Sequence, residues 1–78
     1  MSKFNIGDKV KISAQGAAYW GAWGAGPDDM DNPTNDVGTV FELINNSWLG
    51  FTTRVRWSND VTNSYNDVDL DLVMRVVK

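Results

Sequence analysis

The sequence predicts a small all-β domain of five short strands, interrupted by one long irregular segment. Good helix formers are scarce, whereas valine, threonine, asparagine, glycine and aromatic residues are common, and this composition is typical of strands. Several short stretches alternate apolar and polar residues, which is the period of a strand with one buried face. At 78 residues the chain forms a single domain, 1–78.

The first three predicted strands span residues 9–12, 38–44 and 51–57. In the first, Val10 and Ile12 alternate with lysines after a Gly-Asp turn signal. The second is apolar without clean alternation, which a β-bulge would explain. The third shows the clearest pattern, because every second residue from Phe51 to Trp57 belongs to one face. Trp57 continues that face and is predicted to fill the core.

The chain then predicts a hairpin turn at residues 58–60, a fourth strand over 61–65, a turn or 3₁₀ turn over 66–70 and a last strand over 72–77. Asn63 shares a face with Tyr65, so it is expected to be partly buried and hydrogen-bonded. Strands two, three and four are predicted to form a meander. Closing such a sheet into a barrel protects its edges.

Residues 13–36 match neither a helix nor a strand pattern. They contain Tyr19, Trp20 and Trp23 together with four glycines, two prolines and four aspartates. Compact domains rarely keep so long an irregular segment unless it binds something or closes over something. We therefore expect the segment to act either as a binding site or as a structural flap, and the sequence leaves both open.

Two short motifs resemble those of SH3-like barrels. Gly7-Asp8-Lys9-Val10 resembles a common opening of such barrels, and Gly38-Thr39-Val40 resembles the start of their second strand. Further motifs resemble the Mind-bomb-type domain, an SH3-like module of some large ubiquitin ligases: Trp20, Trp23-Gly24, Val55-Arg56-Trp57, Asn59, Asn63-Ser64-Tyr65 and Asp69-Leu70. That family has a glycine in the hairpin turn where this chain has Asp60. The resemblance implies a five-stranded SH3-like barrel with a long irregular loop after the first strand.

The residue types present argue against an enzyme. The chain has no cysteine and no histidine, which removes disulfides, thiolate nucleophiles, Cys/His zinc sites and an imidazole base. Asp29 and Asp31 alternate as in a calcium loop, but the glycine and the distal glutamate of such a loop are missing. We therefore predict no catalytic residue, no cofactor and no metal site.

Charge restricts the class of partner. The net charge is −3, and the seven basic residues are scattered along the sequence, so direct binding of nucleic acid is disfavoured. Arg54 and Arg56 share the outer face of the third strand, where pairing with an acidic residue on a neighbouring strand is the ordinary role. The other interpretation is that the two arginines contact phosphate, although two basic residues make a small footprint for a nucleic acid. The sequence shows no signal peptide and no membrane-spanning run, so a cytoplasmic location is expected.

The candidate binding residues are aromatic and acidic. In SH3-like barrels the long first loop packs beside the loop that joins strands two and three, so aromatic rings there can form a shallow groove for an extended peptide. The aromatic candidates are Tyr19, Trp20, Trp23, Trp48 and Tyr65. For Trp20 and Trp23 a core role is equally open.

Asp28, Asp29 and Asp31, followed by Asp36, are predicted to rim this groove and to select a basic residue of the partner. A solvated loop in which these side chains cap their own turns is the other interpretation. The sequence therefore predicts a protein- or peptide-binding module. The alternative function is a small acidic accessory protein, of the kind a phage encodes, that inhibits a host enzyme by covering a basic surface. A third alternative is an RNA or single-strand binder that stacks bases on tryptophan and tyrosine, which requires the few lysines and arginines to lie beside those rings. Pairing of two copies through an edge strand also stays open.

Overall fold

The computed structural model describes residues 3–45 and 50–75, which form one five-stranded antiparallel sheet and one short helix. The strands are β1 (Lys9–Ile12), β2 (Gly38–Leu43), β3 (Thr53–Arg56), β4 (Thr62–Tyr65) and β5 (Leu70–Met74). Their order in the sheet is β4-β3-β2-β1-β5. The described residues thus confirm a small, mostly β fold and the predicted β2–β3–β4 meander.

The core lies on the inner face of the sheet, as the alternation in β1 and β3 predicts. Val10, Val40 and Val55 are fully buried, and Trp57 is 1% exposed, which confirms its predicted core role. Gly38 faces this core because a Cβ there would lie 2.4 Å from Val55 Cγ1 and 2.7 Å from the Trp57 ring. The glycine of the Gly-Thr-Val motif therefore makes room for the tryptophan.

The prediction that residues 13–36 lack regular structure is wrong at their start, where Ala14–Gly21 forms helix α1. Ser13 caps this helix: its hydroxyl accepts a hydrogen bond from the Gly16 N–H at 3.0 Å and donates one to the Val68 carbonyl at 2.7 Å. Alanine, the best helix former, occupies several of its positions. The glycines and aromatic rings of the segment mask this helical signal in the sequence.

The strand boundaries also differ from the predictions in detail. The bulge predicted in the second strand is present, since the β2–β3 register shifts between Val40 and Glu42. The turn predicted at residues 66–70 is a 3₁₀ turn, Asp67–Asp69. β5 begins at Leu70, two residues earlier than predicted, because its first residues pair with β1 directly after that turn. β5 ends at Met74, so the prediction is wrong at Arg75, and the predicted residues 76–77 lie outside the described residues.

The β3–β4 hairpin turn holds a non-glycine residue in the left-handed region. Asp60 has φ +68°, and it occupies the position where the resembled family has glycine. Aspartate is among the few residues that enter this region at modest cost, because its short side chain can hydrogen-bond locally. Asp60 can therefore hold this turn without a glycine.

Asp8 connects Arg75, which follows β5, to the start of β1. Its carboxylate is 1% exposed and accepts hydrogen bonds from Arg75 Nη2 at 2.9 Å and from the Asn5 N–H at 2.8 Å. The Arg75 hydrogen bonds outweigh burial and, together with the Asn5 N–H, lower the pKa of Asp8 from its ordinary value of 3.8. The ionised carboxylate therefore stabilises the folded chain.

We expect acid to remove this stabilisation. Because the pKa of Asp8 is lower in the folded than in the unfolded chain, its contribution is complete above about pH 4 and is lost as the pH falls through the folded pKa. Asp8→Asn should lower the urea midpoint at about pH 6 and flatten its fall below about pH 4. Parallel falls for the variant and the original protein would contradict this role for Asp8.

Candidate functional site

The long segment is fastened to the sheet by a buried hydrogen-bonded network. Asn32 is 5% exposed, and its Oδ1 accepts hydrogen bonds from the Tyr65 hydroxyl at 2.7 Å and from Asn63 Nδ2 at 3.1 Å. The Tyr65 hydroxyl in turn accepts one from Trp57 Nε1 at 3.0 Å. Burial raises the pKa of Tyr65 and keeps it neutral. Asn63 is half-buried and hydrogen-bonded, as predicted.

Further contacts hold the segment over the β3–β4 turn. Asn59 Nδ2 donates to the Met30 carbonyl at 2.9 Å. Asp36 Oδ2 accepts hydrogen bonds from both the backbone N–H and the hydroxyl of Ser58, at 3.0 and 2.8 Å. Within the segment, Asp29 accepts one from the Asn32 N–H at 2.7 Å. Residues 26–36 therefore have a defined conformation that the hairpin supports.

This arrangement forms an open pocket of about 270 Å³ between the long segment and the β3–β4 turn. Pro27, Met30 and Pro33 supply apolar atoms to its lining, and Asp28, Asp29 and Asp36 supply carboxylates. None of the described residues that line it is a lysine or an arginine. The pocket thus combines apolar surface with uncompensated negative charge.

Asp36 remains ionised at this site. Burial alone would raise the pKa of Asp36, but hydrogen bonds from the Ser58 N–H and hydroxyl and from the Val37 N–H outweigh burial and lower it. Asp28, in contrast, is exposed, and the described residues offer it no hydrogen-bond donor. Its carboxylate is therefore available to a ligand in a way that the Asp36 carboxylate, which already accepts three hydrogen bonds, is not.

The predicted aromatic residues divide into two groups. Tyr19 and Trp23 are 57% and 73% exposed. Trp20 is half-buried, and its ring packs against Phe51 and Tyr65 with centroid distances of 6.1 and 5.6 Å. Its indole N–H donates to the Asp69 carboxylate at 3.3 Å. Trp20 therefore fastens α1 to the sheet, whereas Trp23 remains on the surface.

The structure corrects the predicted groove at Tyr65, and it places Asp31 outside the pocket lining. Tyr65 is fully buried beneath Asn32 and Trp20 and offers no ring to a partner, because its face of β4 points into the core. Asp31 is exposed but does not line the pocket. Trp48 lies outside the described residues.

Sequence reasoning missed the apolar half of the pocket, which consists of Pro27, Met30 and Pro33. The two prolines flanking an acidic run are the signal that could have revealed it, because they limit the conformations of the loop between them.

Among the residues that the structure describes, no three aspartate or glutamate side chains lie close enough to hold a metal ion. Within residues 3–45 and 50–75, no helix has the length and apolar character needed to cross a bilayer. No protein-family model, curated protein or solved structure matches the chain.

Proposed function

We propose that this protein is a non-catalytic binding module with an SH3-like barrel fold, and that it docks a basic segment of another protein in the pocket between residues 26–36 and the β3–β4 turn. The observation that carries the proposal is the composition of that pocket. Pro27, Met30 and Pro33 line it beside Asp28, Asp29 and Asp36, with no basic residue among its described lining residues.

A lysine or arginine side chain fits this chemistry better than a purely apolar or an acidic one. Its aliphatic stem can cover proline and methionine surface while its charged end reaches a carboxylate. Asp28 is the most accessible of the three carboxylates. Charge at the rim of an interface mainly accelerates encounter and excludes wrong partners. We therefore expect the carboxylates to contribute more to the selection of basic segments than to the strength of binding.

The network around Asn32 supports binding by limiting its entropic cost. A loop that is ordered before the partner arrives does not lose that conformational freedom on association. Asn32 is held by Tyr65 and Asn63, and Asp36 by Ser58. A pocket built in this way is better suited to binding than a loop that must first be ordered.

Tyr19 and Trp23 are exposed aromatic residues of the same long segment, and we propose them as additional partner contacts. Trp23 precedes the pocket residue Pro27 by four positions and is 73% exposed. Exposed tryptophan and tyrosine are frequent anchors of protein interfaces, because each presents a large rigid face at low entropic cost. Their exposure also favours the binding module over the accessory-protein alternative, in which the aromatic rings are covered and the acidic residues act as one broad face.

A titration with a defined probe tests the proposal. An acetylated proline–arginine heptapeptide should shift the backbone amide NMR signals of Ser58, Asn59 and the residues of 28–36 other than Pro33 in a saturable way. Asp28→Asn combined with Asp29→Asn should weaken binding roughly tenfold, since two charge-assisted contacts are lost. Asparagine can still accept the Asn32 N–H bond, so this variant is expected to fold.

Two controls separate a pocket from general charge attraction. Asp71→Asn removes one negative charge from the exposed side of β5, so it should leave the peptide affinity within about twofold. A peptide with glutamine in place of arginine should produce no saturable shift. Equal effects of the Asp71 and Asp28/Asp29 variants would show that the pocket does not select the ligand.

A further inference from the structure

Four of the seven basic residues lie on the outer face of the sheet, although they are scattered in the sequence. Lys9 and Lys11 alternate with buried residues of β1, and Arg54 and Arg56 alternate with buried residues of β3. Residues that alternate with the core point to the opposite side of a strand. The strands therefore collect these cations on the side of the sheet that faces away from the core.

The register places two of these cations in one row. Lys9 stands opposite Thr39, Thr39 opposite Arg56, and Arg56 opposite Thr62. With neighbouring strands about 4.8 Å apart, Lys9 and Arg56 are separated by about 10 Å across β2. Lys9 Nζ also donates to the Thr39 hydroxyl at 2.6 Å. The row thus alternates cations with hydroxyl groups, both of which are common ligands of phosphate.

Phe41 lies between the two arginines of this face. The guanidinium carbons of Arg54 and Arg56 lie 5.3 and 4.8 Å from the centre of the Phe41 ring. Phe41 sits at the bulge of β2 and is half-buried. Both guanidinium groups lie over the ring, and guanidinium planes supported by an aromatic ring form a platform on which a nucleobase can stack.

Two acidic residues reduce the charge of the face without cancelling it. Glu42 pairs with Arg54 at 2.8 Å, and Asp71 stands opposite Lys11 in the β1–β5 register. Among the described residues, no carboxylate lies within ion-pair distance of Lys9 or Arg56. These two cations are therefore the ones available to an anionic ligand, on a surface separate from the acidic pocket.

We propose that this outer face, defined by Lys9, Thr39, Phe41, Arg54 and Arg56, binds single-stranded nucleic acid. Backbone phosphates contact Lys9 and Arg56, with Arg54 as a further contact, and a base stacks on the platform at Phe41. The platform favours a nucleic acid over an acidic polypeptide, because a base presents a flat π-face to it and carboxylate side chains do not. The footprint of few cations favours a single strand over a duplex, which is bound by many.

Fluorescence anisotropy with a labelled twelve-nucleotide oligothymidylate at about 50 mM salt tests the proposal. Affinity should fall as salt rises, with a slope of log K against log salt of about −2 for three phosphate contacts. Arg56→Gln should weaken binding several-fold and reduce the slope by about 0.7. Phe41→Leu should weaken binding roughly fivefold or more and leave the slope unchanged, because stacking releases no counterion.

Matched variants identify the surface responsible. Lys3→Gln removes one positive charge at a residue whose ammonium lies over the Phe4 ring, and it should have little effect. The Asp28→Asn/Asp29→Asn variant should bind the oligonucleotide at least as well as the original chain, so failure here is distinguishable from failure of the peptide-binding proposal. Circular dichroism should show that each variant is folded.

Three results would overturn this inference. The first is no saturable binding at about 50 mM salt. The second is an Arg56→Gln variant that binds as the original chain does. The third is polyglutamate that competes as well as unlabelled oligonucleotide, which would identify the surface as a site for acidic polypeptides.

Discussion

Gly16→Ala is expected to destabilise the protein by about 3 kcal/mol, because the added methyl group has no space. A Cβ at this position would lie 2.3 Å from the backbone oxygen of Asp69 and 2.9 Å from its carbonyl carbon. These are main-chain atoms, so no side-chain rotation relieves the overlap. In a domain of this size the loss is a large fraction of the total stability, which is expected to be about 4–12 kcal/mol.

The neighbourhood of Gly16 makes a compensating shift costly. The Asp69 carbonyl also accepts a hydrogen bond from the Ser13 N–H at 2.8 Å, and the Ser13 hydroxyl donates to Val68. Moving α1 away from the 3₁₀ turn would stretch both bonds. It would also withdraw Trp20 from Asp69. A shift of α1 would therefore weaken the contacts of its Ser13 cap and of Trp20 at the same time.

Gly21→Ala is the matched control for this prediction. Gly21 lies in the same helix, and no atom would come within 4 Å of an added Cβ. This variant should be neutral or more stable by up to about 1 kcal/mol, because alanine is the better helix former. Urea unfolding of both variants provides the measurement. A Gly16→Ala midpoint at or above that of Gly21→Ala would contradict the close packing of α1 on the 3₁₀ turn.

The strands were predictable because their information is local. The alternation of Val10 with lysines, and of Val55 with arginines, reflects the period-two geometry of a half-buried strand. The bulge in β2 was predictable for the same reason, since it interrupts that alternation around Phe41. The pairing of residues between neighbouring strands depends on the strand register. Register follows from long-range contacts, which a local sequence pattern does not contain.

Helix α1 was not predictable from its own residues. Eight residues are too few to form a stable helix alone, so tertiary contacts must supply most of its stability. Those contacts join Gly16 and Trp20 to Asp69, about fifty positions away in the sequence. The local sequence signal for the helix is Ser13, whose side chain caps its first turn.

The candidate site was predictable in its chemistry and not in its shape. Asp28 and Asp29 were expected to form an acidic rim, and they line the pocket. The pocket exists, however, because Asp36 accepts hydrogen bonds from Ser58, and Asn59 donates one to Met30. The sequence gives no indication of these pairings. The outer-face arginines of β3 were predictable from alternation, but their alignment with Lys9 was not, because only the strand register brings Lys9 and Arg56 into one row.

Tyr65→Phe is expected to cost about 2 kcal/mol of stability, because it removes one hydroxyl that serves two buried partners. Trp57 Nε1 would lose its acceptor at 3.0 Å, and Asn32 Oδ1 would lose its donor at 2.7 Å. Asn32 keeps the hydrogen bond from Asn63 Nδ2. The indole N–H of Trp57 is the more serious loss, since Trp57 is 1% exposed and water has little access to it.

The same substitution is expected to loosen the acidic pocket. Tyr65 connects the core to Asn32, and Asn32 lies between the pocket residues Met30 and Pro33. Without this connection the segment should open locally more often, so its amide protons should exchange faster with solvent. Peptide affinity should fall as well, because an ordered pocket must then be restored on binding.

Tyr19→Phe is the matched control, because it removes the same hydroxyl from a residue that is 57% exposed. Its effect on stability should stay within about 0.5 kcal/mol. Urea unfolding measures the cost of each variant, and amide exchange at Asp31, Asn32 and Thr34 measures the loosening of the segment. Tyr65→Phe could lower stability and raise the exchange rates at those residues only as much as global unfolding accounts for. In that case the hydroxyl would support the core and not the pocket. Faster exchange confined to those residues would show that the hydroxyl holds the long segment in its binding conformation.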